Sequence, residues 1–137
     1  MSDQKLVGIV LVSHSAEVAA SVAELAKGLA GGAAAVLPVA PAGGTEGGGL
    51  GTSAELICAA AASVDRGAGV ALLTDLGSAV LTVKALIAEG DELPDGSRLV
   101  DAPFVEGAVA AVVTAATGAD LDAVEAAAKE AYGYRKV

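Results

Sequence analysis

A chain of 137 residues with a formal net charge of -9, two Tyr, one Phe and no Trp has neither the cationic surface nor the stacking platforms that nucleic acid requires, and its charge disfavours anionic membrane. One Cys and one His exclude an internal disulfide and a zinc site assembled from His and Cys. The length fits a single domain over residues 1–137, with a core of small aliphatic side chains drawn from 33 Ala, 18 Val and 15 Leu.

The first element in chain order is a strand over residues 6–12, a near-continuous run of Val and Leu of the kind buried on both faces of a sheet. It follows Asp3 without a basic leader, and no apolar stretch nears the roughly 20 residues of a membrane span. The expectation is a cytoplasmic protein with no signal peptide and no membrane helix. A helix begins at about Ser15, with Val18, Val22, Leu25 and Leu29 as its apolar face. Residues 34–39 read as a weaker strand, and Pro38 suits only a sheet edge. Residues 40–51, with six Gly, read as an irregular, flexible rim.

Thr52 and Glu55 make a capping box for a second helix, with Leu56, Ile57, Ala60 and Val64 turned inward. Residues 70–74 repeat the buried-strand pattern. A third helix opens at about Ser78, with Leu81, Ala85 and Ala88 on its apolar face and Val80, Val83, Leu86 and Ile87 broadening it. Residues 89–95 carry four carboxylates and no base, a solvated turn, and residues 98–100 form a short edge strand. Val105, Val109, Val112, Val113 and Ala116 mark a fourth helix ended by Gly118; Leu121, Val124, Ala128 and Ala131 mark a fifth capped by Asp120.

Strands alternating with helices imply an α/β fold: a three-layer sandwich around a central, mainly parallel four-stranded sheet of order 2-1-3-4, with helices on both faces. That order creates a topological switch between strands one and three, and ligands in such sheets bind beyond the carboxyl ends of strands at the switch. The residues there are Ser13-His14-Ser15 and Asp75-Leu76-Gly77-Ser78.

The only His therefore falls at the switch with a carboxylate on the neighbouring strand. An imidazole acting as a nucleophile needs one nitrogen held as a donor and the other free, and Asp75 accepting from Nδ1 leaves Nε2 to attack a phosphoryl group. Helix N-termini near Ser15 and Ser78 supply backbone N–H groups and two hydroxyls for the anion, while no Lys or Arg lies in either loop. Two other readings stand beside this one. His14 is a hydrogen-bonded structural residue with Asp75 and Ser78 as helix caps, or it belongs to a Ser-His-Asp hydrolase using Ser13, Ser15 or Ser78, for which the chain lacks the G-x-S-x-G elbow.

Val10-Leu11-Val12-Ser13-His14-Ser15, Gly51-Thr52, Asp75-Leu76-Gly77-Ser78-Ala79, Ala102-Pro103-Phe104-Val105-Glu106-Gly107 and Ala116-Thr117-Gly118-Ala119-Asp120, in this order and spacing, resemble the DhaM family. These are the phosphotransfer subunits of phosphoenolpyruvate-dependent dihydroxyacetone kinases, whose domain is similar to the mannose-type IIA component of the sugar phosphotransferase system. The resemblance implies a homodimer and a phosphotransferase working through phosphohistidine at His14, with the phosphoryl received from the phosphocarrier HPr. It implies transfer to ADP held with magnesium on a DhaL subunit, which then phosphorylates dihydroxyacetone on DhaK in glycerol metabolism; this chain itself binds no cofactor or metal. Asp75 matches the carboxylate beside the His and Ser78 the nearby hydroxyl, with Ser15, Gly77, Gly51 and Thr52 at the rim. Because the chain stops at Val137, the donor is expected to be a separate protein. Three other functions compete: a IIA component feeding a sugar transporter, a regulatory module reporting phosphorylation state, and a small-ligand binding domain with a structural His.

Overall fold

The computed structural model describes residues 5–31 and 37–137. Four parallel strands, β1 (Gly8–Ser13), β2 (Val39–Gly43), β3 (Val70–Thr74) and β4 (Ser97–Leu99), form one sheet of order β2-β1-β3-β4, as the sequence predicts. Among the described residues five helices surround it: α1 (Ala16–Ala30), α2 (Ala54–Val64), α3 (Gly77–Glu89), α4 (Phe104–Ala116) and α5 (Leu121–Glu130), the last continuing into a 3-10 turn, Ala131–Gly133. Among the described residues, no helix is long and apolar enough to cross a membrane.

Alternation along the central strands divides the core. Ile9, Leu11, Ala71 and Leu73 face α1, α4 and α5, whereas Val10, Val12, Val70 and Leu72 face α2 and α3. β1 and β3 are buried at every position, which is why they read as unbroken apolar runs rather than alternating ones.

β2 differs from its prediction. Residues 34–36 lie outside the described residues, and the strand starts at Val39 and continues through Pro41 to Gly43, residues the sequence assigned to the irregular rim. A proline fits because β2 is an edge. The N–H of Ile9 donates to the Pro38 carbonyl and that of Gly44 to the Ser13 carbonyl, so even-numbered residues face β1 and the nitrogen of Pro41 points away from the ladder.

The helix faces also depart from expectation. α1 buries Ala19, Val22, Ala23 and Ala26 while Val18, Leu25 and Leu29 are exposed; α4 buries Gly107, Ala108, Ala111, Val112 and Ala115 while Val105 and Val113 are exposed; α3 turns Leu81 outward. Small side chains allow close approach of helix to helix and helix to sheet, so the Ala stripe sits inside and the bulkier aliphatics remain outside. The Thr52 capping box is likewise replaced. Ser53 caps α2 by accepting from the Leu56 N–H at 3.2 Å, and Thr52 is released for another contact. Asp120 caps α5 as predicted, accepting from the Ala123 N–H at 2.9 Å, and Gly118 ends α4 with a φ of 89°.

Gly43 sets how closely the end of β2 meets the start of α1. A Cβ there would lie 2.4 Å from the Ser15 carbonyl oxygen and 2.7 Å from the Ala16 Cα, both backbone atoms that cannot step aside. Gly43→Ala is therefore expected to cost about 1–3 kcal/mol in urea-denaturation stability. A change within ~0.5 kcal/mol would show that the two backbones separate freely.

Candidate phosphoryl-transfer site

Parallel pairing of β1 with β3 places Val12 opposite Thr74, which brings Ser13-His14 and Asp75 together at the carboxyl edge. The Asp75 N–H donates to the Val12 carbonyl at 3.0 Å and closes the ladder there. The two chain segments, about sixty residues apart, are thus fixed by backbone before any side chain acts.

The Asp75 carboxylate receives four donors. Oδ1 lies 2.9 Å from His14 Nδ1 and accepts from the Leu76 N–H at 2.6 Å; Oδ2 accepts from the Ser13 hydroxyl at 2.8 Å and the His14 N–H at 3.1 Å. With its side chain only 16% exposed, burial pushes the Asp75 carboxyl up, but the donors from His14, Ser13 and Leu76 outweigh burial and hold it below its ordinary value of 3.8. A charged carboxylate at Nδ1 fixes the tautomer, so the Nδ1–H donates to Asp75 and Nε2 carries the lone pair.

Nε2, the other ring nitrogen, meets a hydroxyl on the exposed side of the site. It lies 2.5 Å from Ser78 Oγ, and Ser78 Oγ lies 3.3 Å from Thr52 Oγ1. The His14 side chain is 25% exposed, so most of the ring is covered and part of it reaches solvent. Ser78 stands in the first turn of α3, whose leading residue Leu76 provides no side-chain cap, so the first N–H groups of the helix, Gly77 included, lack intrahelical acceptors and present positive dipole ends to an anion.

The predicted residues are thus brought together unequally. His14, Asp75 and Ser78 make a continuous hydrogen-bonded row, and Thr52 joins it. Gly51, at a φ of 147°, donates its N–H to the His14 carbonyl at 2.9 Å, so the Gly-rich segment is tied to the site rather than merely draped over it. That segment is also internally bonded: Thr45 N–H to the Gly49 carbonyl, Gly48 N–H to the Thr45 carbonyl and Gly49 N–H to the Thr45 hydroxyl. The Ser15 hydroxyl is committed to capping α1, accepting from the Val18 N–H at 3.2 Å.

Sequence reasoning weighed Ser13 only as a hydrolase nucleophile; the structure buries it to 1% exposure against Asp75. A Ser ending an otherwise apolar buried strand was the available signal. Leu50, Leu76 and Leu81, exposed at 82%, 64% and 68%, were likewise missed as a group, although each lies within three residues of Gly51, Asp75 or Ser78.

Comparison with known proteins identifies the family. The EIIA-man family model, described as PTS system fructose IIA component, matches residues 8–125. The phosphoryl donor subunit DhaM of phosphoenolpyruvate-dependent dihydroxyacetone kinase from Escherichia coli K12 is 36% identical over 120 residues, covering 87% of this chain and 25% of that protein; the chain spans about a quarter of that relative's length. The DhaM subunit of dihydroxyacetone kinase 2 from Listeria innocua is 31% identical over 120 residues, covering 87% of this chain and 94% of that protein. A crystal structure of a protein described as of unknown function superposes with a TM-score of 0.79 at 30% identity, covering 96% of this chain and 98% of the other. A sigma-54 interaction domain protein from Enterococcus faecalis shares the fold at a TM-score of 0.68 and 16% identity, covering 96% and 93%. A family match that runs from the first strand into the fifth helix and takes in both halves of the His14 and Asp75 site makes this chain a member of the mannose-type IIA (EIIA-man) family, with DhaM phosphoryl donor subunits among its relatives.

Proposed function

We propose that this protein is the phosphoryl-transfer subunit of a dihydroxyacetone kinase, accepting a phosphoryl group from phospho-HPr on Nε2 of His14 and passing it to ADP bound with magnesium on a DhaL subunit that works with DhaK. The observation that carries the reading is the His14 ring, held through Nδ1 by Asp75 at 2.9 Å with Nε2 turned to the exposed Ser78 hydroxyl. In the forward step the Nε2 lone pair forms the new P–N bond while the donor nitrogen leaves with the electrons of the old one. The positive charge gained by the ring is offset by the Asp75 carboxylate. As the phosphoryl arrives, the Ser78 and Thr52 hydroxyls turn from each other and from Nε2 to its oxygens, assisted by the open N–H groups of α3.

The surroundings favour protein partners over a small substrate. Leu50, Leu76 and Leu81 are exposed and each lies within three residues of Gly51, Asp75 or Ser78, so a partner delivering phosphorus to Nε2 would meet apolar side chains there. The net charge of -9 suits a basic donor. A second copy of the chain as partner is supported by exposed aliphatics on adjacent helices, Val18, Leu25 and Leu29 on α1 with Val105 and Val113 on α4. The description of the family as a fructose IIA component favours a second reading, in which a sugar-transport subunit is the acceptor.

Intact mass after incubation with phosphoenolpyruvate, enzyme I and HPr is expected to rise by one phosphoryl group, and addition of DhaL with Mg-ADP is expected to remove it. Retention of the group in the presence of DhaL and Mg-ADP would transfer support to the transporter reading, and no gain with a competent donor would overturn both. His14→Ala is expected to abolish labelling with an unchanged circular dichroism spectrum, since the residue contributes little to the core. Leu50→Ser with Leu81→Ser is expected to lower kcat/KM for phospho-HPr by about one order of magnitude, as loss of interface anchors does. Labelling by the small donor phosphoramidate is expected to stay the same in that variant; an equal loss with both donors would remove the docking role.

The depressed Asp75 carboxyl fixes the sign of a pH effect. Its contribution to stability is fully present above its ordinary value of 3.8 and is lost as pH falls through the lower folded value. The Tm difference between wild type and Asp75→Asn is therefore expected to shrink on acidification below about pH 4; a difference that grows there would contradict the bonding described.

A further inference from the structure

We infer that Ser13 is a positioning residue for phosphoryl transfer, setting the direction of the Asp75 carboxylate and through it the His14 ring; this rests on His14 being the phosphoryl acceptor. Ser13 ends β1, is 1% exposed, and is one of two buried polar residues among those described, the other being Thr74 on the neighbouring strand. A hydroxyl so placed has to be fully bonded to be tolerated. It is: the hydroxyl donates to Asp75 Oδ2 at 2.8 Å and accepts from the Ser15 N–H at 3.1 Å.

The pattern of donors singles out this side chain. An ionised carboxylate offers about four lone-pair positions, and those of Asp75 are taken by two backbone N–H groups, the His14 ring and Ser13. The backbone donors hold one oxygen each, Leu76 on Oδ1 and His14 on Oδ2. Ser13 adds a side-chain donor to Oδ2, the oxygen that the imidazole does not use, which leaves Oδ1 to Nδ1. Its second bond anchors the hydroxyl to the start of α1, so carboxylate, ring and helix share one frame. Lys84, Asp101 and Tyr132 line a cavity together with Asp75, and Tyr132 donates to Asp101 Oδ1 at 2.6 Å instead. Of the side chains bonded to Asp75, Ser13 alone acts without touching the phosphoryl group.

The test uses the whole chain and phosphoramidate, which needs no protein donor: its P–N bond breaks with loss of ammonia as the Nε2–P bond forms. Ser13→Ala is expected to lower kcat by about one order of magnitude, as misplacement of a reacting group does, with KM unchanged because Ser13 does not contact the donor. Ser13→Thr, which keeps the hydroxyl, is expected to recover most of the rate. In the resting protein, carbon NMR of the Asp75 carboxyl is expected to show its titration midpoint rising in Ser13→Ala, and nitrogen NMR of His14 a loss of the single tautomer. Unchanged kcat and unchanged Asp75 midpoint in a folded Ser13→Ala would overturn the inference, whether or not Ser13→Thr folds. Failure of the wild type to be labelled, with the midpoint still moving, would instead sink the phosphoryl-acceptor reading and leave Ser13 as the residue that orients Asp75.

Discussion

Four hydrogen bonds on one carboxylate hold the working end of this protein together. Asp75 joins the last residues of β1 to the loop after β3, keeps its own charge against burial, and chooses the tautomer of His14. Two of its partners are backbone groups whose positions follow from strand pairing, so the geometry of the site inherits the rigidity of the central sheet. Sites carried on such scaffolds hold reacting groups more closely than sites made of loops alone.

The site contains no cation of its own in either loop, and that absence shapes its chemistry. On the proposed reading, a phosphoryl group held by hydroxyls and helix N–H groups would be stabilised without being trapped, which suits an intermediate that must leave again. Ser78 is bonded to Nε2 and Thr52 to Ser78 at rest, so on the proposed reading the hydroxyls that would meet an incoming anion are already gathered.

Much of this was legible in the sequence, and the failures have physical causes. β1 and β3 are strong patterns because both faces of each are buried, and their order around the switch point located His14 and Asp75. The edge strand was misplaced because Pro41 and three small residues carry no apolar pattern, and an edge needs none on its open side. The faces of α1 and α4 were misjudged because size was taken as the mark of burial, whereas Ala19, Ala23, Ala26, Ala108 and Ala111 are inside so that helices can approach. Ser13 escaped because its value lies in a partner 62 positions away, and Thr52 was read as a cap because Ser53, one residue on, was not compared with it.

The register of β1 with β3 has a consequence for how the reactive group comes into being. His14 is made early during synthesis, yet the carboxylate that orients it arrives only with the third strand, after the edge strand and two helices have been laid down. Contacts between distant parts of a chain form late because their loops must be closed first. An oriented imidazole therefore depends on the pairing of β1 with β3, and a chain in which those strands have not met carries a histidine without its carboxylate.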